Sequence, residues 1–190
     1  MSPNEERLSS LVENANRSLQ AIQDELGRDN DIRGRMRFPR GFIRSVATLL
    51  PSIPNIGTEV QRRNVCYALL MTDVLRWLAI RTDITSTALS MIVKEGICIM
   101  GAVCEWMTKE ATRGYASRRS YKDRTKELVN HGIIDQQLKT ELDWVWDVRC
   151  REHFHEVKDL EHEMYNRSHY NRALRVFGRL RDKLLTLFPA

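Results

Sequence analysis

The stretch from Ser86 to Thr112 constrains the fold more than any other part of the chain. Ala88, Leu89, Met91, Ile92, Val93, Ile97, Ile99, Met100, Val103 and Trp106 recur at helical spacing, yet they do not fall on one face. Read as a helix, the segment is apolar on most sides, and such a helix belongs in the middle of a bundle. Gly96 and Gly101 would let neighbouring helices approach its axis closely. The longest apolar run inside it, Ile97 to Val103, is flanked by Lys94, Glu95 and Glu105. It falls well short of the roughly 20 residues that span a bilayer, so no membrane segment is expected.

The flanking segments supply helices to surround it. Asn4 to Leu26 places Leu8, Leu11, Val12, Ala15, Leu19, Ile22 and Leu26 at intervals of three and four, the pattern of one buried stripe, with Gly27 as a stop. Arg28 to Arg40 is poor in apolar residues, contains Gly34 and Pro39, and reads as a loop or arm. Phe42 to Leu50 reads as a short helix closed by Pro51. Thr58 to Ile80 is a long helix with Val65, Leu69, Thr72, Leu75 and Leu78 inward, widened by Tyr67, Val74 and Trp77. Ser86 is placed to cap the apolar helix. Tyr121 to Asn130 forms a short helix ended by Gly132. Asp135 caps a helix running to about Met164, and Ser168 caps the last one, which reaches Phe188. No segment alternates convincingly with the period of a strand. The expectation is an all-α, antiparallel helical bundle forming one domain over 1–190, with an N-terminal helix and basic arm over 1–57 and the bundle core over 58–190.

Composition narrows the class. With 42% hydrophobic residues in 190, the chain can bury one sizeable core. Cys66, Cys98, Cys104 and Cys150 form no C-x-x-C pair and are too sparse for a disulfide framework, so reduced thiols are expected. Met1 to Glu6 is polar and lacks the apolar stretch of a signal peptide, which makes cytoplasmic the expected location. The net charge of +5 is compatible with nucleic acid. No P-loop, G-x-G-x-x-G, G-x-S-x-G or H-E-x-x-H is present, so Walker-type hydrolysis and serine hydrolase chemistry have no support, and no cofactor is expected.

The segment Leu142 to Glu156 concentrates functional side chains: Arg149, Arg151, His153 and His155 among several acids. On one continuous helix Arg149 neighbours His153, and Arg151 neighbours His155. Arg149 and His155 lie about 120° apart around its axis. An arginine followed by a histidine after five intervening residues, late in a helical bundle, resembles the HEPN superfamily of nucleases. The resemblance runs roughly from Thr85 to Leu187. It implies a HEPN-like fold, RNA as ligand, and metal-independent RNA cleavage of a toxin or defence type. It also implies a homodimer formed through the long helix of 135–164, in which the motifs of two protomers face each other across the two-fold axis. Under it, Arg149 stabilises phosphate charge and His155 moves protons, with Arg151 and His153 as second candidates. The position after the arginine, commonly polar in that family, is Cys150, a poor donor.

Two basic stretches interleave with aromatics, as suits single-stranded nucleic acid. One contains Arg33, Arg35, Arg37, Arg40 and Arg44 around Phe38 and Phe42. The other contains Arg113, Arg118, Arg119, Lys122, Arg124 and Lys126 around Tyr115 and Tyr121. Solvated loops are the plain alternative for both. His155, Asp159 and His162 would share a helix face, but no second E-x-x-H accompanies Glu152 and His155, and no metal site is expected. Trp144 and Trp146 are 200° apart on a helix, so one should face the core and the other an interface. The rival function is a non-catalytic interaction module, such as the partner of an antitoxin or a scaffold bundle.

Overall fold

The computed structural model describes residues 3–116, 118–153 and 159–190. Those residues contain helices and no strand, so the chain is an all-α helical bundle. It divides into two compact units, Met1–Arg40 and Gly41–Ala190.

The first unit is α1 (Pro3–Leu26) and the short chain after it. Gly27 ends the helix in the left-handed region, φ 57°, and its N–H returns to Gln23 O. Leu26 then packs on Gly34, which closes a 3₁₀ turn over Ile32–Gly34. The apolar stripe of α1, expected to be buried, is exposed: Leu8 by 62%, Leu11 by 58%, Val12 by 49% and Leu19 by 42%. The physical reason is local. Within this unit only the arm is available to cover the helix, and the arm's own Ile32 and Met36 are exposed.

The second unit contains α2 (Val46–Leu49), α3 (Glu59–Arg81), α4 (Ser86–Ala111), α5 (Tyr121–Asn130), α6 (Gln136–Cys150) and α7 (Arg167–Leu187). Only Val46–Leu49 of the expected Phe42 to Leu50 helix is α-helical. Pro51 then carries the chain into a 3₁₀ turn over Leu50–Ser52. Thr58 and Gln61 form a full capping box at the start of α3. Along α3, Val65, Leu69, Thr72 and Leu75 are buried as expected, whereas Tyr67 is 53% exposed. Asp73 is also buried, because Arg44 grips it with Nε and a terminal nitrogen at 2.9 and 2.8 Å.

Helix α4 is the centre, packed by α3, α5, α6 and α7. Val93, Ile97, Met100, Cys104 and Met107 are fully buried around it. Among the described residues α4 is the one helix long and apolar enough to cross a membrane by length and composition, and most of that stretch is buried inside the bundle. Its two glycines do what their placement suggests. Tyr170 of α7 lies against Gly96, and Arg149 and Val145 of α6 lie against Gly101. Cys98 and Cys104 are buried free thiols, each pushed up to about 12, with burial the largest cause.

Three boundaries differ from expectation. Thr85, not Ser86, is the cap of α4, and the Ser86 hydroxyl bonds Glu163 at 2.6 Å. Asn166, not Ser168, caps α7, its side chain accepting from the N–H groups of Ser168 and His169. Most consequentially, α6 ends at Cys150 rather than near Met164. The N–H groups of Arg151, Glu152 and His153 bond three residues back, to Val148, Arg149 and Cys150, so the helix tightens and stops. The Arg151 carbonyl is taken at 2.7 Å by the buried Lys94 of α4, which also pairs with Glu161. Tyr165 donates its hydroxyl to Glu161 at 3.1 Å and its N–H to Ser90 at 3.0 Å. The chain before α7 is thereby tied to α4.

Candidate nucleic-acid interface

The fold separates the motif residues. Arg149, in the last turn of α6, is turned toward α4 and is only partly exposed. One terminal nitrogen lies 3.6 Å from Glu105, and the guanidinium stands 5.1 Å from the Trp146 ring centroid. Trp146 stacks on Tyr121 at 4.5 Å with planes 8° apart, and Tyr121 faces Arg124, which is 3.9 Å from the other Glu105 oxygen. A carboxylate thus sits between two guanidiniums, whose Nε atoms are both buried without a hydrogen-bond partner among the described residues. This layer joins three helices. Arg124, expected among the phosphate-binding cations, is 5% exposed and belongs to it.

Because α6 stops at Cys150, Arg149 and His153 are not helical neighbours. His153 is exposed in the turn beyond the helix. His155 lies outside the described residues, and Asp159 and His162, both exposed, lie in the chain between α6 and α7 rather than on a shared helix face. Among the described residues no group of histidines, cysteines and acids is arranged to hold a metal.

The second basic stretch is largely paired internally. Arg113 bonds Glu110, Arg119 bonds Glu127, and Lys122 reaches Asp147 at 2.6 Å. Arg118 and Lys126 are exposed. In the arm, Arg33 forks onto Asp31, while Arg35, Arg37 and Arg40 are exposed.

The concentration of positive charge facing a groove lies elsewhere, between α6 and α7. Helix α7 carries Arg167, Arg172, Arg175, Arg179, Arg181 and Lys183 against one acid, Asp182. His169, Arg172, Arg175, Arg179 and Lys183 follow one another at three and four residues and form one stripe. Toward the C-terminal end of α6, a cleft of about 230 Å³ is lined by Trp144, Asp147, Arg151, Met164, Tyr165 and His169. Toward its start, a second cleft of about 280 Å³ is lined by Gln137, Glu141, Arg172, Arg175 and Arg179. Trp144 joins them: the Arg172 guanidinium lies 3.9 Å from its ring centroid, and the His169 ring lies 6.2 Å away.

Carboxylates hold these cations in place. Glu141 accepts two bonds from Arg172, at 2.6 and 3.0 Å, and Asp135 lies 3.2 Å from Arg179. The Arg172 bonds hold the Glu141 carboxyl below its ordinary range, against partial desolvation and with help from Arg179 and Arg175. The Leu138 N–H does the same for Asp135, the α6 cap, aided by Arg179 and Lys183. His169 Nδ1 accepts the Asn166 N–H at 3.2 Å, so the proton of its neutral ring is on Nε2, which remains a donor. Arg151 touches Met164 sulfur at 3.5 Å, a weak acceptor.

Of the residues singled out from the sequence, this groove contains Arg151 and Trp144. It adds His169, Arg172, Arg175 and Arg179, which the sequence reading does not single out. Their spacing was the available signal.

The chain matches no family model, no curated protein and no solved structure. Its geometry carries the functional argument.

Proposed function

We propose that the chain is a HEPN-like, antiparallel helical bundle that binds RNA along the groove between α6 and α7. One observation carries the reading: a guanidinium stacked at 3.9 Å on Trp144, with Arg175 and Arg179 to one side and Arg151 and His169 to the other. Successive cations suit successive phosphates, and an indole face suits an unstacked base. Arg172 and Arg179 are about 10 Å apart along the helix axis, enough to follow a strand rather than grip one anion. Glu141 and Asp135 hold the arginines extended until phosphate oxygens replace them as acceptors.

Binding is favoured over cleavage by the position of Arg149, whose guanidinium is engaged with Glu105 and Trp146. The competing reading is a metal-independent ribonuclease using Arg149 and His155. One experiment addresses both. Anisotropy of a labelled single-stranded RNA is measured across a salt series for wild type, Arg175→Ala, and the pair Arg37→Ala with Arg40→Ala. Intact RNA is followed in EDTA in parallel. The expected result is tight, salt-dependent binding that Arg175→Ala weakens while reducing the salt slope by about one. Binding that ignores Arg175→Ala and collapses in the arm variant moves the interface to the arm. Cutting in EDTA that is lost in Arg149→Ala and His155→Ala establishes the ribonuclease instead.

A further inference from the structure

The apolar stripe of α1 has no cover within its own unit, and its period identifies what covers it. Leu8, Val12, Ala15, Leu19, Ile22 and Leu26 are separated by 4, 3, 4, 3 and 4 residues. This is the unbroken 3.5-residue spacing of a coiled-coil seam rather than the wider face of a helix on a globular core. Leu8, Val12, Leu19 and Ile22 are 62%, 49%, 42% and 36% exposed, and Leu11 beside them is 58% exposed. We propose that α1 pairs with α1 of a second copy of this chain as a two-stranded coiled coil.

Three features favour a second copy. The positions flanking the seam are largely uncharged: Ser9, Asn16 and Gln23 on one edge, Leu11 and Ser18 on the other, with Glu25 as the exception. Like-charged edges would repel an identical helix, and these do not. Glu6, Arg7, Glu13, Arg17 and Asp24 lie away from the seam, on the solvent side of such a pair. The stripe also complements itself. Laid antiparallel, Leu8 meets Leu26, Val12 meets Ile22, and Ala15 meets Leu19, so the smallest residue faces a large one in each of the central layers. A lipid surface fits poorly, because α1 carries five acids against two arginines and lacks the basic face that anionic headgroups attract.

The test is sedimentation of the full chain over a wide concentration series, comparing wild type with Leu19→Asp, Ile22→Asp and the outer-face control Glu13→Gln. Helical circular dichroism and the unfolding midpoint of each variant report that the bundle is intact. The expected result is a wild-type dimer whose dissociation constant rises by about 100-fold or more in either seam variant, since each places an unpaired charge in an apolar layer. Glu13→Gln leaves it unchanged. A wild-type chain that stays monomeric at the highest concentration overturns the proposal. So does a dimer indifferent to both seam variants, or binding to phosphatidylserine vesicles that Leu19→Asp abolishes.

Discussion

Replacing Gly96 by alanine tests the packing at the centre of the bundle, because two effects of opposite sign compete there. In an exposed helix interior, Gly→Ala stabilises by about 1 kcal/mol through backbone entropy. At Gly96 the new Cβ would lie 2.2 Å from Tyr170 Cε2 and 3.0 Å from Cδ2. Carbon atoms pack at about 3.5–4.0 Å, so the ring has to retreat by more than about 1 Å. It has nowhere cheap to go. Tyr170 is 3% exposed, and its hydroxyl donates to Thr72 O at 2.7 Å. Overpacking costs about 1–3 kcal/mol, and stretching that buried bond adds about 1–3 kcal/mol. The steric term wins, and Gly96→Ala is expected to destabilise by about 2–4 kcal/mol net of the helix gain.

Gly178, in the interior of α7, supplies the contrast. A Cβ there meets nothing within 4 Å, so Gly178→Ala should show the entropic gain alone, about 0.5–1 kcal/mol. Gly101 is intermediate, with Arg149 Cβ at 2.9 Å. Urea unfolding followed by circular dichroism gives the three signs. A cycle with Tyr170→Ala gives the mechanism, because with the ring removed Gly96→Ala should become neutral or stabilising. If Gly96→Ala alone is as stable as wild type, Tyr170 does not pack on α4 there and the argument fails.

Lys94→Met is expected to cost about 3–5 kcal/mol, because it strands Glu161 in a site 10% exposed. Adding Glu161→Leu should recover most of that loss; urea midpoints decide, and no recovery would show that the bond to the Arg151 carbonyl matters more than the charge pair. Glu141→Gln should tighten RNA binding in the anisotropy assay by removing the groove carboxylate that competes for Arg172. It also has a pH signature. The depressed Glu141 pKa contributes stability above the ordinary value of 4.5, and that contribution is lost as pH falls through the folded value. Wild type should therefore be more stable than Glu141→Gln at neutral pH, by about 0.5–1 kcal/mol, and the two should converge in urea titrations below pH 4.5.

How much of this was legible in the sequence depends on the range of the interaction that sets each feature. The helices could be read because apolar periodicity and nearby caps are local: Thr58 with Gln61 starts α3, and Asp135 with Leu138 starts α6. The end of α6 could not. Nothing in Arg151-Glu-His breaks a helix, and the Arg151 carbonyl is taken by Lys94, 57 residues away. That one contact changes the reading of the motif, since the helical proximities of Arg149, Arg151, His153 and His155 all assumed a helix that continues.

The same argument separates the two arginines of the motif. Arg149 lies in the last turn of α6, and Arg151 is the residue at which that helix stops. Arg149 meets Glu105 and Trp146 in the layer between α4, α5 and α6, and Arg151 lines the cleft with His169. Sequence proximity joined them; the end of the helix divides them between a buried layer and the groove. The spaced arginines on α7 give no sign of a groove in the sequence for the complementary reason. A stripe becomes a groove only when another helix supplies the opposite wall, here Glu141 and Trp144, and that pairing is a property of packing. The α1 seam shows the limit from the other side. Its period is fully visible in the sequence and reports that a partner helix is required, but a spacing of 3.5 residues does not say whose helix it is. That identity rests on the uncharged edges and the self-complementary layers, so it is the charge at those edges, beginning with Glu25, that should govern how tightly two copies associate.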